Sequence, residues 1–134
     1  MFRLNKKVEY ALIALKHMSK SSADALCTAK EICETYGASF DATSRVLQIM
    51  TQKQILKSEH GAHGGYRLIK ALSEVSLLDL MYAILGEQHV ANCLCDEEAS
   101  CDLQKSCNII QPMSHLDARL RIFYQSLTVH EILS

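Results

Sequence analysis

The stretch from Thr28 to Ile69 restricts the fold of this 134-residue chain more than any other. Thr28-Ala-Lys-Glu31 has the form of a capping box, in which a hydroxyl and a carboxylate each satisfy an orphan backbone N–H. The short helix it opens ends at Gly37, a residue that adopts the left-handed C′ conformation without steric cost. Ser39 then caps a third helix, with Phe40, Val46, Leu47 and Met50 as its buried stripe. Ile55–His60 and Tyr66–Ile69 read as two strands joined through Gly61-Ala-His-Gly-Gly65. Helix pairs around a glycine turn are common. A pair followed at once by a glycine-tipped hairpin predicts a winged helix-turn-helix. Upstream, Val8, Leu12, Leu15 and Met18 share one face of a first helix capped by Asn5.

The net charge of −1 conceals an asymmetry. Residues 1–70 carry eleven Lys and Arg against six Asp and Glu, whereas residues 71–134 carry three against nine. A cationic half joined to an anionic half suits a nucleic-acid reader with a separate regulatory end, although solvated surfaces are also uneven by chance. The third helix presents Asp41, Thr43, Ser44, Arg45 and Gln48 as its outward positions, short polar groups and one guanidinium suited to base edges and phosphates in a DNA major groove. Lys6, Lys7, Lys57, His63 and Arg67 are candidates for phosphate contacts, which position a protein without reading sequence.

No apolar run reaches the roughly 18 residues of a membrane span, and the opening MFRLNKKVEY has charges where a secretion signal needs its apolar stretch. The expected location is therefore the cytoplasm, with no membrane partner. Six cysteines in a reducing compartment point to metal or redox chemistry rather than a disulfide framework. The chain has no P-loop, dinucleotide-binding or nucleophile-elbow signature, so an enzyme is not expected.

Ser76 caps a helix over Leu77–Leu85, with Asp79 three residues on. Beyond it, Cys95, Cys101 and Cys107 recur at intervals of six in an acidic loop, with Cys93 just upstream. Three thiols so close in sequence can converge on one soft metal centre, either an iron–sulfur cluster or a structural zinc. The spacing matches neither a zinc ribbon nor a bacterial ferredoxin, and by itself leaves both open. Cys27 and Cys33 belong with the second helix and its packing. After the loop, Ile109, Met113, Leu116, Leu120, Phe123 and Leu127 alternate steps of four and three, the seam of a helix pair. Pro112 fits a first helical turn, or marks a kink.

Together these residues resemble the winged-helix iron–sulfur repressors that include IscR and NsrR. The resemblance is carried by Arg3-Leu4, Tyr10-Ala11-Leu12, the wing His60-Gly-Ala-His-Gly-Gly-Tyr66, the cysteine triplet and the tail Ser126–Leu133. It implies a mainly α fold with a small β wing: a DNA-binding domain over 1–86, a cluster-binding loop over 87–108, and a dimerisation helix with tail over 109–134. It also implies a homodimer on a double-stranded operator and a 2Fe–2S or 4Fe–4S cluster on Cys95, Cys101 and Cys107, sensing nitric oxide, redox stress or iron–sulfur status. In some members the fourth ligand is a histidine three residues past the last cysteine, but Ile110 stands there. In others it is a carboxylate given across the dimer, and the matching residue is Glu9, with Cys93 and then His115 as rivals. Asp41, Ser44 and Arg45 match family positions on the recognition helix, while His60 replaces a wing arginine that often probes the minor groove. Two other readings are a winged-helix regulator with a zinc or thiol-redox site, and an electron carrier. A carrier has no use for a basic helix-turn-helix with a wing.

Overall fold

The computed structural model describes residues 3–95 and 101–134. In chain order it contains α1 (Lys6–Ser19), α2 (Ala29–Tyr36), α3 (Phe40–Gln52), β1 (Leu56–Glu59), β2 (Gly65–Leu68), α4 (Leu77–Leu85), α5 (Ile110–Ser126) and α6 (Val129–Leu133), with short 3₁₀ turns over Leu72–Glu74 and Asn92–Leu94.

Local chemistry accounts for most helix boundaries. Asn5, Thr28, Ser39, Ser76 and Thr128 each accept a backbone N–H as N-caps. Gly37 ends α2 at φ 69° and donates its N–H to the Cys33 carbonyl. Full capping boxes form at Ser76/Asp79 and Thr128/Glu131. The box expected at Thr28 is only half made. The Thr28 hydroxyl accepts the Glu31 N–H, but the Glu31 carboxylate turns to His17, with Oε1 3.0 Å from Nε2.

α1, α2 and α3 converge on a core that includes Val8, Leu15, Ile32, Val46, Leu47 and Met50, all essentially excluded from water. Each buried aliphatic side chain of this size contributes about 1.5–3 kcal/mol. Phe40 is a correction to the expected stripe: at the first position of α3 it is 56% exposed, before the helix turns its apolar face inward.

The two strands pair antiparallel, with Leu56 opposite Leu68 and Lys57 opposite Arg67. Leu56 anchors this wing in the core, and Tyr66 exchanges two backbone hydrogen bonds with Cys27, at 2.9 and 2.8 Å. The wing approaches so closely that a Cβ on Gly65, which has φ 156°, would meet the Cys27 carbonyl oxygen at 3.0 Å. That contact and that φ explain the glycine.

α6 returns to the first helices. The Val129 N–H bonds the Val75 carbonyl, the Leu77 N–H bonds the Leu127 carbonyl, and Lys16 Nζ bonds the carbonyl of Leu133. α5 packs on α4 but leaves much of its apolar surface in water, with Ile122 71% and Phe123 55% exposed. Pro112 is its third residue, within the first turn, where a missing N–H costs no intrahelical bond.

Candidate nucleic-acid interface and cysteine loop

On α3, Asp41, Arg45 and Gln48 are exposed and Ser44 is half-buried, so these four share the face turned away from the core. Thr43 does not join them. It is fully buried beside Val46 and Leu47, and cannot contact DNA from there. The expectation that it points outward is corrected by the 100° step per residue of a helix, which turns position 43 inward once 46, 47 and 50 are fixed in the core.

A groove of about 390 Å³ separates α3 from the wing and is lined by Gln48, Thr51, Ser58, His60 and Tyr66 among others. The recognition helix and the wing thus open onto one concave surface. His60, His63 and Lys57 are exposed on the wing. Arg67 is half-buried, and its Nε donates to Glu59 Oε1 at 3.2 Å. Phosphate would have to compete with that carboxylate. Lys7 is exposed, whereas Lys6 Nζ pairs with Glu9 Oε2 at 2.8 Å.

The cysteine loop leaves α4 at Gly86 and reaches α5 at Ile110. Cys95 and Cys101 are exposed, and Cys93 and Cys107 are half-buried. Residues 96–100, including the acidic run Asp96-Glu97-Glu98 of the expected loop, lie outside the described residues. Cys107 lies just before α5, whose N-cap Ile109 offers no side-chain acceptor. The uncapped N–H groups and the helix dipole favour negative charge there, as a ligating thiolate would carry. Ile110 is the first residue of α5, and His115 is exposed further along it.

The segment entering the loop is fastened by a polar cluster that sequence reasoning missed. Asp117 of α5, only 7% exposed, accepts the Val90 N–H at 2.9 Å and Arg121 Nε at 2.8 Å, and lies 3.1 Å from His89 Nδ1. Arg121 also reaches Glu87 at 3.2 Å. Burial alone would raise the Asp117 carboxyl, but the Val90 N–H, Arg121 and His89 together hold it below its ordinary value. The visible signal was the Asp117–Arg121 spacing of four, which puts the pair on one helix face.

Among the described residues, the His, Cys, Asp and Glu side chains that bring three ligand atoms within 4.8 Å of one another are His17, Cys27 and Glu31, not the loop thiols. Cys27 is buried, and its thiol is pushed up to about 12, first by burial and then by the charge and hydrogen bonding of Glu31. No helix among the described residues is long and apolar enough to cross a membrane.

Comparison with known proteins agrees with this architecture. The chain is 29% identical over 107 residues to Protein aau3 of Rhizobium meliloti, covering 80% of this chain and 69% of that protein. It is 26% identical over 106 residues to the HTH-type transcriptional regulator NsrR of Oceanobacillus iheyensis, covering 79% and 72%. The solved structure of CymR, the global cysteine regulator of B. subtilis, superposes with a TM-score of 0.72 at 20% identity, over 99% of this chain and 97% of that one. The pattern of the Rrf2 family, described as iron-dependent transcriptional regulators, matches residues 4–134. From its first helix to its docked tail, the chain is a member of the Rrf2 family of winged-helix transcriptional regulators, and not an enzyme.

Proposed function

We propose that this regulator is a homodimeric repressor that reads its operator with α3 and the wing, and holds an iron–sulfur cluster through Cys95, Cys101 and Cys107, with Glu9 of the partner subunit as an oxygen ligand. The observation that carries the reading is the position of the three thiols: one loop, with two exposed and the third beside the uncapped start of α5. Thiolates are the usual ligands of such clusters. The description of the family as iron-dependent regulators favours a cluster over a zinc ion in this loop. Glu9 is partly exposed on α1 and held by Lys6, an ion pair that ligation would have to break.

When bound, the cluster supplies iron that reacts with nitric oxide or oxygen. The rest of the switch belongs to the chain. Ligation by Cys107 and by Glu9 joins the start of one protomer's α5 to its partner's α1, and α1 packs directly on α3. The separation of the two recognition helices is thereby biased toward half-sites about one helical turn apart. The His89–Asp117–Arg121 cluster keeps the loop's first segment fixed to α5.

Anaerobic purification followed by iron and sulfide analysis and a visible spectrum tests this reading. The expected protein is coloured, with acid-labile sulfide, and Cys95→Ser, Cys101→Ser and Cys107→Ser each lose the iron while Cys33→Ser keeps it. Full iron retention in Cys101→Ser, or a colourless protein with stoichiometric zinc in the loop, would overturn it. Glu9→Ala should change the spectrum or shorten the cluster's lifetime in air. An unchanged spectrum and lifetime would reassign the fourth position to Cys93 or His115.

A further inference from the structure

His17 on α1, Cys27 before α2 and Glu31 on α2 are far from the cysteine loop in sequence and take no part in the switch described above. Packing of α2 against α1 nevertheless brings one ligand atom from each within 4.8 Å of the others. Each is held in place by a separate contact. The His17 ring places Nδ1 2.7 Å from the Tyr36 hydroxyl and meets the Tyr36 ring edge-on, leaving Nε2 toward Glu31 at 3.0 Å. The Cys27 backbone is fixed by two hydrogen bonds to Tyr66 of the wing, and its side chain is buried. Glu31 is fixed by the first turn of α2, where its N–H bonds the cap of Thr28.

Imidazole, thiol and carboxylate form the mixed donor set of a borderline-soft divalent ion, and three protein ligands leave a fourth position for water. The Tyr36 hydroxyl acts where an outer-shell partner would, fixing the ring and so the nitrogen available for ligation. Access is from the Glu31 side: that side chain is 48% exposed, against 17% for His17.

We propose that His17 Nε2, Cys27 Sγ and the Glu31 carboxylate form a second metal site, binding one divalent ion of the zinc class independently of the loop cysteines. On binding, the Cys27 thiol proton leaves to solvent as the metal–sulfur bond forms, and Nε2 gives up any proton it shares with Glu31; no oxidation state changes. The site has a structural consequence. Its ligands join α1, α2 and the residue on which β2 is pinned, so an ion there fastens the wing to the helices beneath it.

The test uses the full chain with Cys93, Cys95, Cys101 and Cys107 all replaced by serine, so the loop cannot contribute and the outcome is independent of the cluster reading. Cobalt(II) titrated into this protein should bind with one-to-one stoichiometry and give a thiolate-to-cobalt charge-transfer band, which added zinc displaces. In the same background Cys27→Ala should abolish the band, as should His17→Gln, a partly exposed position whose replacement leaves Cys27 and its packing in place. Tyr36→Phe should keep the band and weaken affinity by about 10–100-fold. Absence of the band in the four-serine protein, or its survival in Cys27→Ala or His17→Gln, would overturn the site.

Discussion

Thr43 carries a hydroxyl that is wholly buried in α3 and has no hydrogen-bond partner. An unsatisfied buried hydroxyl costs about 1–3 kcal/mol, so Thr43→Val, which keeps the branch and the volume, should raise stability by about 1 kcal/mol. Because the side chain faces the core, operator affinity should not move. Urea unfolding and a binding titration check both parts, and weaker operator binding in a folded Thr43→Val protein would return the residue to the interface. Arg45 differs, since it is exposed on the face of α3 turned away from the core. A guanidinium there can bond two acceptors of one guanine, so Arg45→Ala should cost about 1–3 kcal/mol on the operator and flatten discrimination at one base pair per half-site. Lys57, exposed on β1, should act on phosphate: Lys57→Ala weakens operator and scrambled duplex alike and lowers the salt slope by about one per subunit. Equal losses on both duplexes for Arg45→Ala would reduce it to a phosphate contact. At this scale the polar character of α3 was legible in the sequence, but the direction of each side chain was not. Polarity alone put Thr43 outside, whereas the packing of Val46, Leu47 and Met50 fixes the rotation that buries it.

Among the elements, those set by local signals were readable in advance. The caps at Asn5, Ser39 and Ser76, the stop at Gly37 and the glycine-tipped hairpin each depend on residues within a few positions of one another. What escaped depends on distant partners. Glu31 leaves its expected capping role for His17, fourteen positions away, and Asp117 joins residues 27 and 28 positions upstream. The Asp117 group fastens the approach to the cysteine loop onto α5, and its loss should be felt in stability. Asp117→Asn leaves Arg121 and His89 facing a neutral amide and should destabilise the protein by about 2 kcal/mol at neutral pH. The folded-state carboxyl titrates below its ordinary 3.8, so as pH falls the unfolded chain takes up this proton first. The contribution is therefore complete above about pH 5 and is lost as pH falls through the folded value. Urea melts of wild type and Asp117→Asn should converge in acid. A gap that does not narrow as pH falls below 3.8 would show that charge at Asp117 is not what fastens the loop.

For the molecule as a whole, the unmatched surface is the outer face of α5. Ile109, Leu116 and Phe123 recur every seven residues, and they are 50%, 38% and 55% exposed. The other half of the seam expected from sequence, Met113, Leu120 and Leu127, is partly buried, with Leu127 packed against the chain's own core. The alternation of four and three therefore covers two faces that spacing alone could not separate: one set of residues turns partly inward, and the other stays exposed. A heptad face of this kind buries itself most simply by crossing the same helix of a symmetry-related protomer, where every residue counts twice. Two copies are also what an operator with paired half-sites requires. Phe123→Glu should uncouple these consequences. Removing a buried aromatic contact from both sides forfeits about 3–6 kcal/mol per dimer, which weakens association by about two to four decades. Sedimentation equilibrium should then find monomers at micromolar concentrations where the wild type is dimeric. The variant should keep its helical circular dichroism, because Phe123 contributes little to its own domain's core. Its binding to a single half-site should be preserved while binding to the full operator becomes weak and additive. A Phe123→Glu protein that sediments as a dimer and binds the full operator as wild type does would remove this face from the interface, and with it the route by which Glu9 of the partner subunit reaches the cysteine loop.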